Sequence, residues 1–259
     1  MGVIGRQPLE TLVKRVIKRR LLAGRFRSES TEFAPVRGGE ARVLICLWNR
    51  SSRITDILEL LDSQDFAPGI RLYLWNNNKS EHEVYRRAIA EFTAKGALKT
   101  VDLVKTPYNL GSIARFYWAR KLSADGEPII VIDDDQDIAP TFVSKAIAAY
   151  RPDTISAWWA WTVGDSYWER QKAKPGEHVD HIGPGGMICS SRIFADKTFF
   201  TTIPEKYWML DDIWLSYFAT RHGYTLAKLD VDIDFVMDET NQFYSQASLK
   251  PDFYASLRA

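Results

Sequence analysis

The stretch Pro128–Asp135, PIIVIDDD in one-letter code, decides how the rest of the chain is read. Its first five residues are a short, continuous apolar run rich in β-branched side chains. That is the pattern of a strand buried on both faces of a sheet. Three aspartates follow without a break. Side chains alternate along an extended backbone, so Asp133 and Asp135 are expected on one side and Asp134 on the other. Two carboxylates converging at a strand end form a partial cage for Mg²⁺ or Mn²⁺. Such ions take one or two protein carboxylates and complete their shell with water and substrate phosphates. A metal held there would neutralise a diphosphate leaving group. The alternative is an acidic turn after a buried strand, with Asp137 adding to a solvated loop. Folding alone accounts poorly for three adjacent aspartates, whose repulsion has to be offset.

Working outward, Arg42–Trp48 (RVLICLW) and Ile70–Trp75 have the same strand character, and Thr100–Lys105 has a weaker version of it. Helical patterns separate them over Ile54–Leu61, roughly 81–95 and roughly 112–122. Pro140 is placed to open a helix reaching about Tyr150. Alternating strands and helices predict an α/β domain with a mainly parallel sheet, Rossmann-like, and helices on both faces. Ligands of such sheets bind beyond the carboxyl ends of strands. This points to Asn49–Arg50, Asn76–Asn78 and Asp133–Asp135. No G-x-G-x-x-G follows the first strand and no Walker loop occurs, which argues against a dinucleotide dehydrogenase or a P-loop enzyme. Past Tyr150, Ile155–Thr162 reads as a strand carrying Trp158, Trp159 and Trp161. Gly164–Pro184 reads as a long polar lid or binding loop containing Trp168, His178 and His181. Gly183–Ser190 returns to strand character, and Leu210–Thr220 reads as a helix opened by Asp211 and Asp212.

The ordered series Trp48–Arg50, Leu74–Asn77 (LWNN), Val131–Asp135 (VIDDD) and Leu210–Ile213 (LDDI) resembles nucleotide-sugar glycosyltransferases of the GT-A fold. The pattern is similar to the exostosin-like family and, more broadly, to glycosyltransferase family 2. Asn109 with Arg115 and the small-residue run Gly185–Ser191 (GGMICSS) extend the likeness, which covers roughly residues 41–225. Leu210 stands where the exostosin-like pattern has Cys, and Q-x-x-R-W of the processive synthases is absent.

The resemblance implies a metal-dependent transfer of a hexosyl or N-acetylhexosaminyl unit from a UDP-sugar to a hydroxyl acceptor, with Mn²⁺ or Mg²⁺. It implies donor contacts from Asn49, Arg50, Asn76, Asn77, Asn109, Arg115, Asp133 and Asp134, and metal ligation by Asp135 and Asp133. Asp212, with Asp211 beside it, becomes the catalytic carboxylate, as a base with inversion or as a charge stabiliser with retention. Trp158, Trp159, Trp161 and His181 become candidates for the acceptor side, and Asp238 a further ligand candidate. On residue types alone, Asn76–Asn78 also fits a turn, and Asp211–Asp212 also fits a helix cap. A nucleotidyltransferase and a silent sugar-nucleotide or membrane-binding module are the competing readings.

Composition bounds the rest. The 259 residues are 46% hydrophobic and 26% charged, as in ordinary globular proteins. No apolar run approaches the ~20 residues of a membrane span. Cys46 and Cys189 lie in strand-like runs, so a disulfide framework is not expected and a reducing, cytoplasmic setting is. The net charge of +1 divides into +6 on residues 1–37 and −5 on the remainder. Bulk attraction to nucleic acid is therefore not expected, and a basic arm and linker (1–40) is expected to precede a glycosyltransferase-like domain (41–259). Within it, about 41–140 would bind the nucleotide sugar and about 141–259 the acceptor. In the arm, Leu9, Leu12, Val13, Val16 and Ile17 recur at helical spacing, with Lys14, Arg15, Lys18 and Arg19 largely opposite. Such a helix lies on an anionic membrane surface, at the inner face of the membrane, or on a partner, packs its apolar stripe on the body, or serves as a nucleic-acid arm.

Overall fold

The computed structural model describes residues 6–106, 108–236 and 248–258. Asp238 lies outside them. In chain order, the first part forms α1 (Arg6–Leu22), β1 (Glu29–Glu32), β2 (Ala41–Leu47), α2 (Ile54–Asp62), β3 (Ile70–Asn76), α3 (His82–Glu91), β4 (Leu98–Lys105), α4 (Arg115–Lys121) and β5 (Pro128–Asp133). The remainder forms β6 (Gln136–Ile138), α5 (Phe142–Ala149), β7 (Thr154–Val163), β8 (Arg170–Lys172), β9 (His181–Ser190), α6 (Thr198–Thr201), α7 (Asp211–Arg221), β10 (Thr225–Lys228), β11 (Ile233–Phe235) and α8 (Leu249–Ser256).

The main sheet runs β1-β4-β3-β2-β5-β9-β7-β10, with β8 paired to β7. Strands β4, β3, β2 and β5 are parallel, as the βαβ rhythm requires. Strand β9 then enters antiparallel to both β5 and β7. The alternation of each central strand feeds two cores. Val43, Ile45, Leu72, Leu74, Ile130 and Ile132 pack under α2, α3 and α5. Leu44, Tyr73, Trp75 and Val131 pack under α4, α6 and α7 on the other face. The register aligns Cys46 with both Trp75 and Asp133, so β2, β3 and β5 end level with one another. That common edge positions the site.

Two expectations are corrected. The latter part of the expected arm and linker (1–40) contains β1, which pairs antiparallel with β4 at the sheet edge. Its ESTE sequence has no apolar alternation to betray an edge strand. The supposed polar loop 164–184 is a return hairpin: β8 pairs with β7, and β9 begins at His181. The arm helix is also turned differently from a simple membrane-facing or body-packed stripe. Leu21 is buried and Ile17 and Leu22 pack on the core, with Arg120 Nε donating to the Leu22 carbonyl at 2.6 Å. Lys18 lies over the Trp208 ring and Lys14 over Tyr108, while Leu12, Val13 and Val16 remain exposed. No helix among the described residues is long and apolar enough to cross a membrane.

Candidate active site

Strand β5 ends at Asp133, and Asp134 and Asp135 turn the chain into β6. All three carboxylates line a cavity of about 170 Å³ beyond the ends of β2, β3 and β5, together with Cys46, Trp48 and Arg50. Arg50 bridges two of them, 2.7 Å from Asp134 and 3.1 Å from Asp135. The Trp48 backbone N–H also donates to Asp134, at 3.2 Å. Burial pushes the Asp134 carboxyl upward, an effect that Arg50 opposes. Burial likewise pushes the Cys46 thiol up to about 12.

The opposite wall is the loop Asn109–Ser112. Asn77 Nδ2 donates to the Gly111 carbonyl at 2.9 Å, and Asn77 Oδ1 accepts from the Leu110 N–H at 3.1 Å. Asn77 therefore holds this loop through both ends of its amide. Gly111 has φ +78°, and a Cβ there would stand 2.8 Å from the Trp208 carbonyl. Only glycine suits that backbone in that space.

A second cavity, of about 440 Å³, adjoins the first. The two share Ser112, Arg115, Asp133, Asp135 and Met209. Arg115 is the tie between them: its guanidinium pairs with Asp133 and lies 3.6 Å from Asp211. Burial works against its charge, but Asp133 and Asp211 outweigh it and hold Arg115 protonated. Asp211 also accepts from Ser112 Oγ at 2.6 Å. Its burial raises the carboxyl to about 6 despite Arg115 and Ser112.

Asp212, one residue on along α7, lines the second cavity in a different shell. Lys250 from α8 approaches its Oδ2 at 3.2 Å, Tyr167 OH at 3.5 Å and His181 Nε2 at 3.7 Å. Burial would raise this carboxyl, but His181 and Lys250 more than offset it and hold it well below the usual range. His181 Nδ1 rests 3.2 Å from Ser216 Oγ, which in turn donates to the Asp212 carbonyl at 2.8 Å. The second oxygen, Asp212 Oδ1, is buried and has no hydrogen-bond partner among the described residues. A buried carboxylate oxygen left in that state is costly, and an incoming hydroxyl would satisfy it.

The aromatic wall is narrower than the sequence suggests. Trp159 and Trp161 line the second cavity, stacked 5.1 Å apart, with Arg170 over the Trp161 ring. Trp158 lies outside that lining: it packs with the core under α2, α3 and α5 and meets the Trp159 ring at 4.4 Å across the register shift in β7. Trp168 stands 52% exposed beside a separate cleft, and His178 pairs with Asp180 on the surface. His181 is not in a polar loop. It is buried in β9, stacked on Trp161, and acts as a support for Asp212.

On the first cavity, Arg50, Asn77, Asn109, Arg115, Asp133 and Asp134 all contribute lining. Asn109 accepts from the Gly111 N–H at 2.7 Å. Asn76 lies beneath the cavity: fully buried, it closes a turn to the Asn78 N–H and faces His82. Asn49 is exposed and accepts from Asn78 Nδ2 at 2.9 Å, outside the lining. Sequence reasoning missed Ser112, Tyr167, Arg170, Ser216 and Lys250. Nothing in their local patterns sets them apart, since each matters only through folding.

Asp133 and Asp135 fit a divalent ion of the Mg²⁺ or Mn²⁺ type. Both line the wall common to the two cavities. A Cβ at Gly185 would stand 2.2 Å from Asp133 Oδ2, so the glycine leaves the space that this carboxylate needs. No cluster of three or more His, Cys, Asp or Glu side chains suited to a metal occurs among the described residues. An ion completed by water and phosphate oxygens does not require one.

No family model and no curated protein sequence matches the chain. Solved structures do. S. aureus TarS aligns over 81% of this chain at 16% identity and a TM-score of 0.48, and the chain spans only 38% of that longer protein. A mannosyltransferase from Pyrobaculum calidifontis, in complex with GDP-Man and Mn²⁺, aligns over 96% of this chain and 72% of its own, with 14% identity and a TM-score of 0.55. GalNAc-T7, with UDP, GalNAc and Mn²⁺, aligns over 79% of this chain and 45% of its own, with 13% identity and a TM-score of 0.55. With a mostly parallel sheet, helices on both faces and the last two as neighbours, the chain has the GT-A glycosyltransferase fold.

Proposed function

We propose that the protein transfers a sugar from a nucleoside diphosphate sugar, UDP-linked by the motif resemblance, to a hydroxyl of a glycan or lipid-linked saccharide. The observation that carries this reading is the pair of cavities sharing one wall. The smaller, between Arg50 and the Asn109–Ser112 loop, takes the nucleoside diphosphate. The larger, between Trp159, Trp161 and Asp212, takes the acceptor. Flat indole faces suit the apolar face of a sugar ring.

Asp133 and Asp135 hold the divalent ion, which when bound neutralises charge on the diphosphate. Arg115, fixed between Asp133 and Asp211, presents its guanidinium at the junction where the sugar passes from donor to acceptor. Bidentate donors of this kind orient anionic oxygens. Asp212 receives the proton of the attacking hydroxyl at Oδ1, which has no hydrogen-bond partner among the described residues, while Lys250, Tyr167 and His181 keep Oδ2 fixed. A base on the acceptor side implies inversion at the anomeric carbon.

The test uses a panel of nucleotide sugars with and without Mn²⁺, reading donor hydrolysis and Trp fluorescence. One donor should release UDP in a metal-dependent manner. Asp135→Ala and Asp133→Ala should each weaken metal-dependent donor binding about 10–100-fold, on the scale of a lost contact to a charged group. If no nucleotide sugar binds at any metal concentration, the reading fails.

Lys250 provides a pH prediction with a definite sign. Its cation favours the ionised form of Asp212, so Lys250→Met favours the protonated form. The acid limb of the kcat/KM profile, where activity rises as the base ionises, should move to higher pH. An unmoved limb would show that Asp212 is not the base seen in the profile.

A further inference from the structure

A third cavity, of about 430 Å³, opens between α1 and the ends of β3 and β4, behind the loop that walls the small active-site cavity. Arg20, Arg25, Arg27 and Lys105 line it, over a floor that includes Phe26 and Trp75. All four cations are solvent-exposed, and none forms an ion pair among the described residues. Phe26 meets Trp75 edge-on at 5.2 Å, and the buried Trp75 Nε1 has no hydrogen-bond partner among the described residues. Cations gathered around an apolar floor with no ion pair among the described residues fit an anionic, partly apolar ligand.

The outer face of α1 narrows the choice. Leu12, Val13 and Val16 are 55%, 48% and 49% exposed, and Arg15, Arg19 and Arg20 are exposed among them. The helix turns Lys14 and Lys18 toward the body and leaves aliphatic side chains outside, the reverse of a helix shaped by water alone. A free anion would account for the cations but not for the apolar row beside them. A bilayer interface accounts for both: aliphatic side chains enter the acyl boundary while arginines meet headgroup phosphates.

We propose that α1 docks the protein on an anionic phospholipid surface, with a lipid phosphate seated among Arg20, Arg25, Arg27 and Lys105. The inference is independent of the proposed transfer reaction, because none of these residues lines the two active-site cavities.

The full chain is tested by vesicle co-sedimentation, comparing phosphatidylcholine alone with phosphatidylcholine containing phosphatidylglycerol. Binding is expected only with phosphatidylglycerol and should weaken as salt is raised. Combined Arg20→Gln, Arg25→Gln and Arg27→Gln should lower the partition coefficient about tenfold or more. Leu12→Ser with Val16→Ser, a second variant at exposed positions, should lower it with the cations intact. Circular dichroism confirms that both variants keep the fold. The proposal is overturned by equal binding to both vesicles, by no binding to either, or by full binding of the arginine variant. Tight binding of inorganic phosphate, lost in the arginine variant, with no partition into either vesicle would assign the cavity to a free anion.

Discussion

Asp212→Asn should reduce turnover by about 10²–10⁴-fold, the usual contribution of a positioned general base, while leaving metal-dependent donor binding within about twofold of the wild type. The split follows from where the residue stands. Asp212 lines the larger cavity and not the smaller, so the donor side keeps Arg50, Arg115, Asp133 and Asp135. Asparagine preserves shape but cannot accept a proton from an attacking hydroxyl. Initial rates at saturating donor, with UDP binding followed by Trp fluorescence, separate the two quantities. Near-normal turnover would remove Asp212 from the chemistry. Asp211→Asn makes an informative contrast. That carboxylate is engaged by Ser112 and Arg115, so its loss should disturb donor binding as well as rate.

A comparable loss is expected from a single methyl group. Gly185→Ala places a Cβ where Asp133 Oδ2 now lies, at 2.2 Å, and 2.8 Å from Gln136 Nε2. One of them must move. Gln136 is 1% exposed and its Oε1 accepts from the Asp133 N–H at 2.9 Å, so Asp133 is the group with room to give. Displacing it breaks its pair with Arg115 and opens the wall between the cavities. A shift of about 1 Å at a reacting centre costs on the order of 10² in rate, and overpacking costs roughly 1–3 kcal/mol of stability. Metal-dependent UDP binding and thermal unfolding of Gly185→Ala measure both. Unchanged donor binding would show that Asp133 is not held by this fit. Glycine at 185 is thus a condition for the acidic cluster.

The central sheet is legible in the sequence because its strands are buried on both faces, which leaves continuous apolar runs such as Val43–Leu47 and Ile129–Ile132. The acidic ends stand out because three adjacent carboxylates have no ordinary structural use. Strand β1 is invisible for the opposite reason: an edge strand of Glu, Ser and Thr has nothing to bury on one side. The hairpin through β8 hides behind polar residues and glycines. The support for Asp212 is beyond reach for a third reason. Tyr167, His181 and Lys250 come from three separate parts of the chain, and only folding brings them to one oxygen. Asn77 shows how a correctly placed residue can conceal its role. It lines the cavity, yet its amide is occupied in holding the Asn109–Ser112 loop.

The entry of β9 against β5 has a consequence for how such a protein can diversify. On one side of that seam β2 to β5 form a parallel unit closed by its own helices and edged by the antiparallel β1, while the other side is hung from an antiparallel return. The two meet through a short partition whose principal strut is Arg115. Changes in the β7–β8 hairpin or in α8 can therefore reshape the larger cavity without rebuilding the smaller one. Grafting experiments have a natural cutting line there, between the end of β5 and the start of β9.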